Sequence, residues 1–314
     1  IHADWILVIS TSSEPASIEE STSNKDESDN RTKTSRNGLV DTGARKKTPN
    51  TAVDGSEALI APKASSAVQK ALANATYIGI DFGTSTTVAT AVTIDKDTGK
   101  MVLMPLPIKQ PTRYGDVIEN HLVNSVLTLH RGKVLFGSDA YKLKSMSIEG
   151  ETTFSSFKMQ LGINKGIGYP RSKVQSIRSA QEAAAVFFTY LREGIVEAVN
   201  RLGLSENIFY AISVPASFEA NQRRDLIRCL EDAGYAVNLA GLIDEPNAAF
   251  LSYLHESAAA ENSFIESVRS DVKNVLVYDF GAGTCDISIL SAHVTGVNVV
   301  SQNKAISRFM ALGG

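Results

Sequence analysis

The chain has 314 residues, a net charge of −3 and 43% hydrophobic residues, the make-up of an ordinary folded, water-soluble protein long enough for two domains and a large core. No basic surplus points to nucleic acid. Cys229 and Cys285 are the only cysteines and form no Cys-x-x-Cys, so neither a disulfide framework nor a zinc site is expected, and a reducing, cytoplasmic compartment is the natural home.

Near the N-terminus, the apolar run Trp5-Ile6-Leu7-Val8-Ile9 is far shorter than the about twenty residues a membrane span needs, so no membrane partner is expected. Residues 10–63 are rich in Ser, Thr, Lys, Asp and Glu and poor in aromatics. Such a segment cannot bury enough apolar surface to offset its conformational entropy, and residues 1–74 are expected to be disordered. Arg45-Lys46-Lys47 within it reads as a solvated charge run. An Ala-rich stretch, 64–75, leads into the first strand.

Residues 77–92 contain Ile78-Gly79-Ile80-Asp81-Phe82-Gly83-Thr84-Ser85-Thr86-Thr87-Val88-Ala89, where an apolar run meets a carboxylate, a glycine and hydroxyls before turning apolar again. This predicts a β-hairpin with Asp, Gly and Thr at its tight turn. Residues 123–136 read as two short strands around Arg131-Gly132-Lys133, and Phe136-Gly137-Ser138-Asp139-Ala140 leads into a helix. In 179–202, Val186, Phe187, Tyr190, Leu191, Ile195, Val199 and Leu202 recur at helical spacing, which predicts a long amphipathic helix packed on a sheet. Residues 208–214 form a buried strand ended by Pro215, and 221–234 a helix with Gly234 as C-terminal cap. Residues 237–243 form the next strand, and Pro246 opens a further helix in the first turn, where its missing N–H is harmless. Residues 257–273 read as a loop or frayed helix end. The hairpin plan then returns in 274–290 as Val275-Leu276-Val277-Tyr278-Asp279-Phe280-Gly281-Ala282-Gly283-Thr284-Cys285-Asp286-Ile287-Ser288-Ile289-Leu290. A hairpin followed by strand–helix alternation fits a mixed β-sheet flanked by helices.

The repeated turn suits a polyphosphate. Glycine lets the backbone approach a ligand closely and aim its N–H groups at phosphate oxygens. Thr and Ser hydroxyls add donors, and an Asp near the strand end can hold a hydrated Mg²⁺. Either hairpin alone reads as an ordinary Asp-Gly turn; the repeat favours a clamp for one nucleotide. No Gly-x-x-x-x-Gly-Lys-Ser/Thr occurs, and Asp286 stands where a dinucleotide fingerprint starting at Gly281 needs its third glycine. His121, His130, His255 and His293 show no metal-ligand spacing.

Asp81-Phe82-Gly83-Thr84-Ser85 resembles the first phosphate motif, and Asp279-Phe280-Gly281-Ala282-Gly283-Thr284 the second, of the actin, sugar-kinase and heat-shock ATPase superfamily. Ser213-Val214-Pro215-Ala216-Ser217-Phe218, Asn221-Gln222-Arg223-Arg224 and Ile243-Asp244-Glu245-Pro246-Asn247-Ala248-Ala249 resemble its seventy-kilodalton heat-shock (DnaK-like) branch. Phe157-Lys158-Met159-Gln160-Leu161-Gly162 is similar to that branch's Ile-Lys-Arg-Leu-Ile-Gly segment. The resemblance runs from about residue 77 to 314. It implies a ribonuclease-H-like, actin-type ATPase fold, with lobe I over 75–272 and the first hairpin of lobe II over 273–314, where Leu312-Gly313-Gly314 opens the second lobe.

The resemblance also implies roles. Asp81 and Asp279 would hold Mg²⁺ through water, while Gly83, Thr84, Ser85, Gly281, Ala282, Gly283 and Thr284 line the phosphates of ATP. Lys158 would meet the γ-phosphate and the attacking water, and Glu245 would orient that water, with Lys158, Glu245 and Asp279 forming the catalytic set. Pro215 and Arg223 match residues that relay nucleotide state. Ala282 stands where the family usually has a third glycine, and its Cβ narrows the loop, which would weaken ATP binding. The expected activity is hydrolysis of ATP to ADP and phosphate in a stress-response chaperone that serves client proteins with co-chaperones. The alternatives are a nucleotide-sensing module without turnover and a small-molecule kinase of the same superfamily.

Overall fold

The computed structural model describes residues 9–12, 75–94, 101–163, 168–236, 239–257, 264–280, 285–295 and 298–307. Strand β1 (Ile9–Ser12) is followed by β2 (Thr76–Phe82) and β3 (Thr86–Ile94), the expected hairpin. Then come β4 (Met101–Pro105), β5 (Ile108–Pro111), β6 (Val117–Asn120), β7 (Val123–Asn124), β8 (Val126–His130) and β9 (Lys133–Phe136). Helix α1 (Ser138–Leu143), β10 (Thr153–Ser155) and the short helix α2 (Phe157–Gln160) lead to the long helix α3 (Ala180–Arg201). After it, β11 (Ile208–Val214), α4 (Ala220–Asp232), β12 (Leu239–Asp244) and α5 (Glu245–Ser257) alternate as the pattern predicts. The chain continues through α6 (Phe264–Ser270), β13 (Lys273–Phe280), β14 (Cys285–Thr295) and β15 (Asn298–Ile306).

The main sheet runs β12-β11-β2-β3-β4, with β7 added at β3. β12, β11 and β2 are parallel, whereas β2, β3 and β4 form an antiparallel meander, so the sheet is mixed. Period-two alternation in β2 sends Ile78, Ile80 and Phe82 into the core and leaves Asp81 half-buried on the other face. Phe82 packs its ring 4.8 Å from Phe188 and 6.3 Å from Phe187 of α3, and 6.1 Å from Phe157 of α2. This aromatic cluster fixes the long helix beneath the strand that carries Asp81.

The second hairpin extends into a sheet of order β1-β13-β14-β15. Its core is separate: Phe250 and Leu254 of α5 cluster with Val275, Val277, Leu290, Ala292 and Val299. Helix α5 packs against β11 and β12 of the first sheet and also against β13, β14 and β15 of the second.

Three expectations change. Ile9–Ser12, inside the stretch expected to be disordered, is an antiparallel strand on β13, with Ile9 opposite Leu276; the remainder of residues 1–74 lies outside the described residues. Residues 264–270, read as part of a loop or frayed end, form helix α6, whose Val268 is buried in the second core. Residues 101–120, which the sequence pattern left without elements, hold β4, β5 and β6. Among the described residues no helix is long and apolar enough to cross a membrane.

The first turn explains its glycine. A Cβ built on Gly83 would stand 2.2 Å from the backbone oxygen of Thr86, while one on Gly79 in the same hairpin meets nothing within 4 Å. We therefore expect Gly83→Ala to destabilise the protein by about 1–3 kcal/mol, in the range of an overpacked core. Gly79→Ala should stay close to neutral, and urea unfolding of the two variants side by side measures the difference.

Candidate active site

Asp81 enters the site from β2. The parallel register sets Ile212 of β11 opposite Ile80, so the next residue, Ser213, reaches Asp81 and its Oγ donates to Asp81 Oδ1 at 3.1 Å. The turn beyond Asp81 is braced from β7 and the residue after it. The Ser125 amide donates to Ser85 O at 2.8 Å, and Ser125 Oγ donates to Gly83 O at 2.9 Å. Ser125 Oγ also shares a hydrogen bond with Thr87 Oγ1 at 2.9 Å. Gly83 and Thr84 are half-buried and Ser85 is exposed, so the turn faces outward on a braced backbone.

Lys158 is held just as firmly. Ser156, before α2, sits in the left-handed region at φ 51, a conformation a residue with a Cβ adopts only under tight local constraint. Beyond the helix, the Gly162 amide donates to Asp225 Oδ2 at 3.0 Å and Asn221 Nδ2 donates to Gly162 O at 2.6 Å. Both ends of the Lys158 segment are thereby fixed. Lys158 is 4% exposed, and its Nζ lies 2.8 Å from Glu245 Oε1. The same ammonium lies 5.6 Å from the Phe82 ring centre and 5.9 Å from that of Phe218. A buried cation needs a counter-charge, and two aromatic faces lower the cost further.

Glu245 is the first residue of α5, a position that favours a carboxylate near the helix N-terminus. Burial nevertheless pushes its carboxyl up to about 7; the ion pair and hydrogen bond with Lys158 oppose that rise, and the charges of Asp81 and Asp279 add to it. Asp279, near the end of β13, is also raised, first by burial, then by Asp81 and Asp286, against the pull of Lys158. The two hairpins and the start of α5 therefore bring Asp81, Asp279 and Glu245 into one electrostatic site with Lys158.

Of the sequence-predicted residues, the structure gathers Asp81, Lys158, Glu245 and Asp279, with Gly83, Thr84 and Ser85 in the adjoining turn. Gly281, Ala282, Gly283 and Thr284 lie outside the described residues, and with them the narrowing expected from Ala282. Sequence reasoning missed Ser213 as the partner of Asp81 and Phe82 and Phe218 as the walls around Lys158. All three stood inside the quoted motif strings, but which residue touches which depends on strand register. Arg223 turns out to grip the loop after β11: it donates from Nε to Phe218 O at 3.1 Å, from Nη2 to Pro215 O at 3.3 Å, and to Asp244 Oδ1 at 2.6 Å.

Comparison with known proteins identifies the family. The family described as "Hsp70 protein" matches residues 112–313, a span that contains Lys158, Glu245 and the second hairpin. The chain belongs to the Hsp70 family. Similar proteins include a "Chaperone protein HscA homolog" of Rickettsia prowazekii, 29% identical over 232 residues covering 72% of this chain and 34% of that protein. A "Chaperone protein DnaK" of Mycoplasmoides gallisepticum is 27% identical over 217 residues, 69% of this chain and 31% of its own length. Another DnaK, from Endomicrobium trichonymphae, is 28% identical over 235 residues. This Hsp70-family chain thus spans about a third of the length of the curated relatives it matches.

The raised Glu245 carboxyl has a consequence for stability. Because the fold binds that proton more tightly than the unfolded chain, this contribution is full below the ordinary value of 4.5 and is lost as pH climbs to about 7. We expect stability to fall over that interval and the fall to shrink in Glu245→Gln. Urea midpoints taken from pH 4.5 to 8 check this, and equal slopes in both proteins would contradict it.

Proposed function

We propose that this chain is the ATP-binding and ATP-hydrolysing part of an Hsp70-type chaperone, using Mg²⁺ and releasing ADP and phosphate. In this reading residues 75–272 are lobe I of an actin-type ATPase fold and residues 273–314 the opening hairpin of lobe II. The repeated meanders, β2-β3-β4 and β13-β14-β15, and the separate cores support that division. The observation that carries the function is the meeting of three carboxylates from two repeated hairpins and a helix start around one buried lysine. Co-chaperones and client proteins would be partners of the whole protein, working in the cytoplasm.

The donor set fits the metal. Carboxylate oxygens suit Mg²⁺, which keeps most of its water, and the charges of three carboxylates exceed that of Lys158. Asp81 and Asp279 would hold the ion through water. The ion would screen the phosphate charge and help neutralise the transition state.

The side chains supply the remaining chemistry. Phosphoryl transfer depends mostly on positioning and on spreading charge. Lys158, oriented by two rings and Glu245, donates to phosphate oxygens where negative charge grows. Glu245, titrating near 7, is matched to accept the proton of an attacking water and to return it. Thr84 and Ser85, at the outward-facing turn, add hydroxyl donors to the phosphates, and Gly83 gives them a close backbone. The turn at Gly281, Ala282, Gly283 and Thr284 would grip the phosphates from the opposite hairpin.

Calorimetry of the chain with ATP, with and without Mg²⁺, tests this reading. We expect Mg²⁺-dependent binding that Asp81→Ala weakens at least about tenfold, equivalent to roughly 1.4 kcal/mol. Lys158→Ala should slow turnover about 10²–10³-fold, as loss of one charge-stabilising donor does. Tight ATP binding without turnover would instead identify a nucleotide-sensing module, and ATP consumption only with an added sugar or acid would identify a kinase. No binding at all would overturn the proposal.

A further inference from the structure

Asp244, the last residue of β12, makes contacts that the candidate site does not use. Its Oδ1 accepts from Arg223 Nη2 of α4 at 2.6 Å, and its Oδ2 accepts from Asn303 Nδ2 of β15 at 2.7 Å. The first contact stays within the elements around the main sheet; the second reaches the β13-β14-β15 sheet. Asp244 is also the residue immediately before Glu245, so whatever fixes its carboxylate fixes the start of α5.

The Arg223 side of this network extends further. Arg223 holds the carbonyls of Pro215 and Phe218, and between them Ser217 Oγ donates to Asp286 Oδ1 of β14 at 3.3 Å. Two polar contacts therefore run from the main-sheet side to the β14-β15 hairpin, Asp244 to Asn303 and Ser217 to Asp286. They are joined through Arg223, and the loop they share carries Phe218, one of the two rings over Lys158. The circuit passes from Asn303 through Asp244 and Arg223 to Phe218, and returns through Ser217 and Asp286.

Asn303 shows what the contact demands. Its Oδ1 is buried and has no hydrogen-bond partner among the described residues, while its Nδ2 faces the carboxylate. Reversing the amide would aim its oxygen at an anion, so Asp244 dictates the orientation and the bare oxygen is the cost. A residue serving only to pack would fill this place better as an apolar side chain.

We propose that Asn303 is a positioning residue: its bond to Asp244 latches the second hairpin onto the main sheet, and so sets Asp279 against Glu245 and Lys158. The effect on nucleotide rests on the function proposed above; the latch between the sheets does not.

The test is an exchange of partners in the full chain. Asn303→Asp sets a second carboxylate against Asp244, and Asn303→Ser is too short to reach it. The double variant Asp244→Asn with Asn303→Asp restores an acid–amide pair in reverse. Amide hydrogen exchange without nucleotide, over residues 239–246 and 298–306, is read together with Mg·ATP affinity by calorimetry. We expect Asn303→Asp to speed exchange in both segments about tenfold and weaken Mg·ATP about tenfold, with Asn303→Ser moving the same way and the double variant recovering most of both losses. Unchanged exchange in both single variants, or a double variant no better than Asn303→Asp, would overturn the latch. A latch seen in exchange with no effect on measurable Mg·ATP binding would overturn the positioning role. Absence of Mg·ATP binding in the unaltered chain, with the exchange pattern intact, would sink the nucleotide reading and leave the latch supported.

Discussion

Everything around the candidate site follows from burying one ammonium. Lys158 is almost inaccessible, and an ammonium in that position is tolerable only if counter-charge and ring faces arrive from elsewhere in the chain. Glu245 comes 87 residues later at the head of α5, Phe82 from the first hairpin and Phe218 from the loop after β11. None of these groups can move independently while the lysine stays dry. Removing Glu245 would strand a positive charge, and removing Lys158 would leave Glu245 among Asp81 and Asp279. The site is over-determined, which is what a group meant to meet a ligand in a fixed pose requires.

The same arrangement explains why the carboxylates are held uneasily. Asp81, Asp279 and Glu245 act on one another through a region where burial weakens the screening that water would give. Lys158 offsets only part of that charge. The remainder is a standing electrostatic demand for positive charge, which adds to burial in raising the carboxyls of Glu245 and Asp279.

Much of this was legible in the sequence, and the reasons for the rest are physical. The long helix α3 and the strand β11 announced themselves through periodicity, because each buries a continuous apolar stripe. Lys158 became legible only through the likeness of its segment to a family, since a lone lysine beside an aromatic ordinarily faces solvent. Strands β4, β5 and β6 are four or five residues long, with Pro105 and Pro111 ending β4 and β5 and Pro107 between them, too short to establish a period. Helix α6 carries no helical signature in the sequence because its polar run hides Val268 among charged and hydroxyl neighbours. The Asp244 contacts were beyond reach: they join residues 21 and 59 positions apart on α4, β12 and β15, and only the tertiary packing of those elements brings them together.

Helix α5 has a mechanical meaning beyond its packing. It begins at Glu245 beside the main sheet and lays Phe250 and Leu254 on the second sheet, so one rigid rod is fastened at different points to two bodies. From Glu245 to Leu254 it runs about 14 Å at 1.5 Å per residue. Glu245 is the head of that rod, so the place of the carboxylate that faces Lys158 is tied to how Phe250 and Leu254 seat on the second sheet.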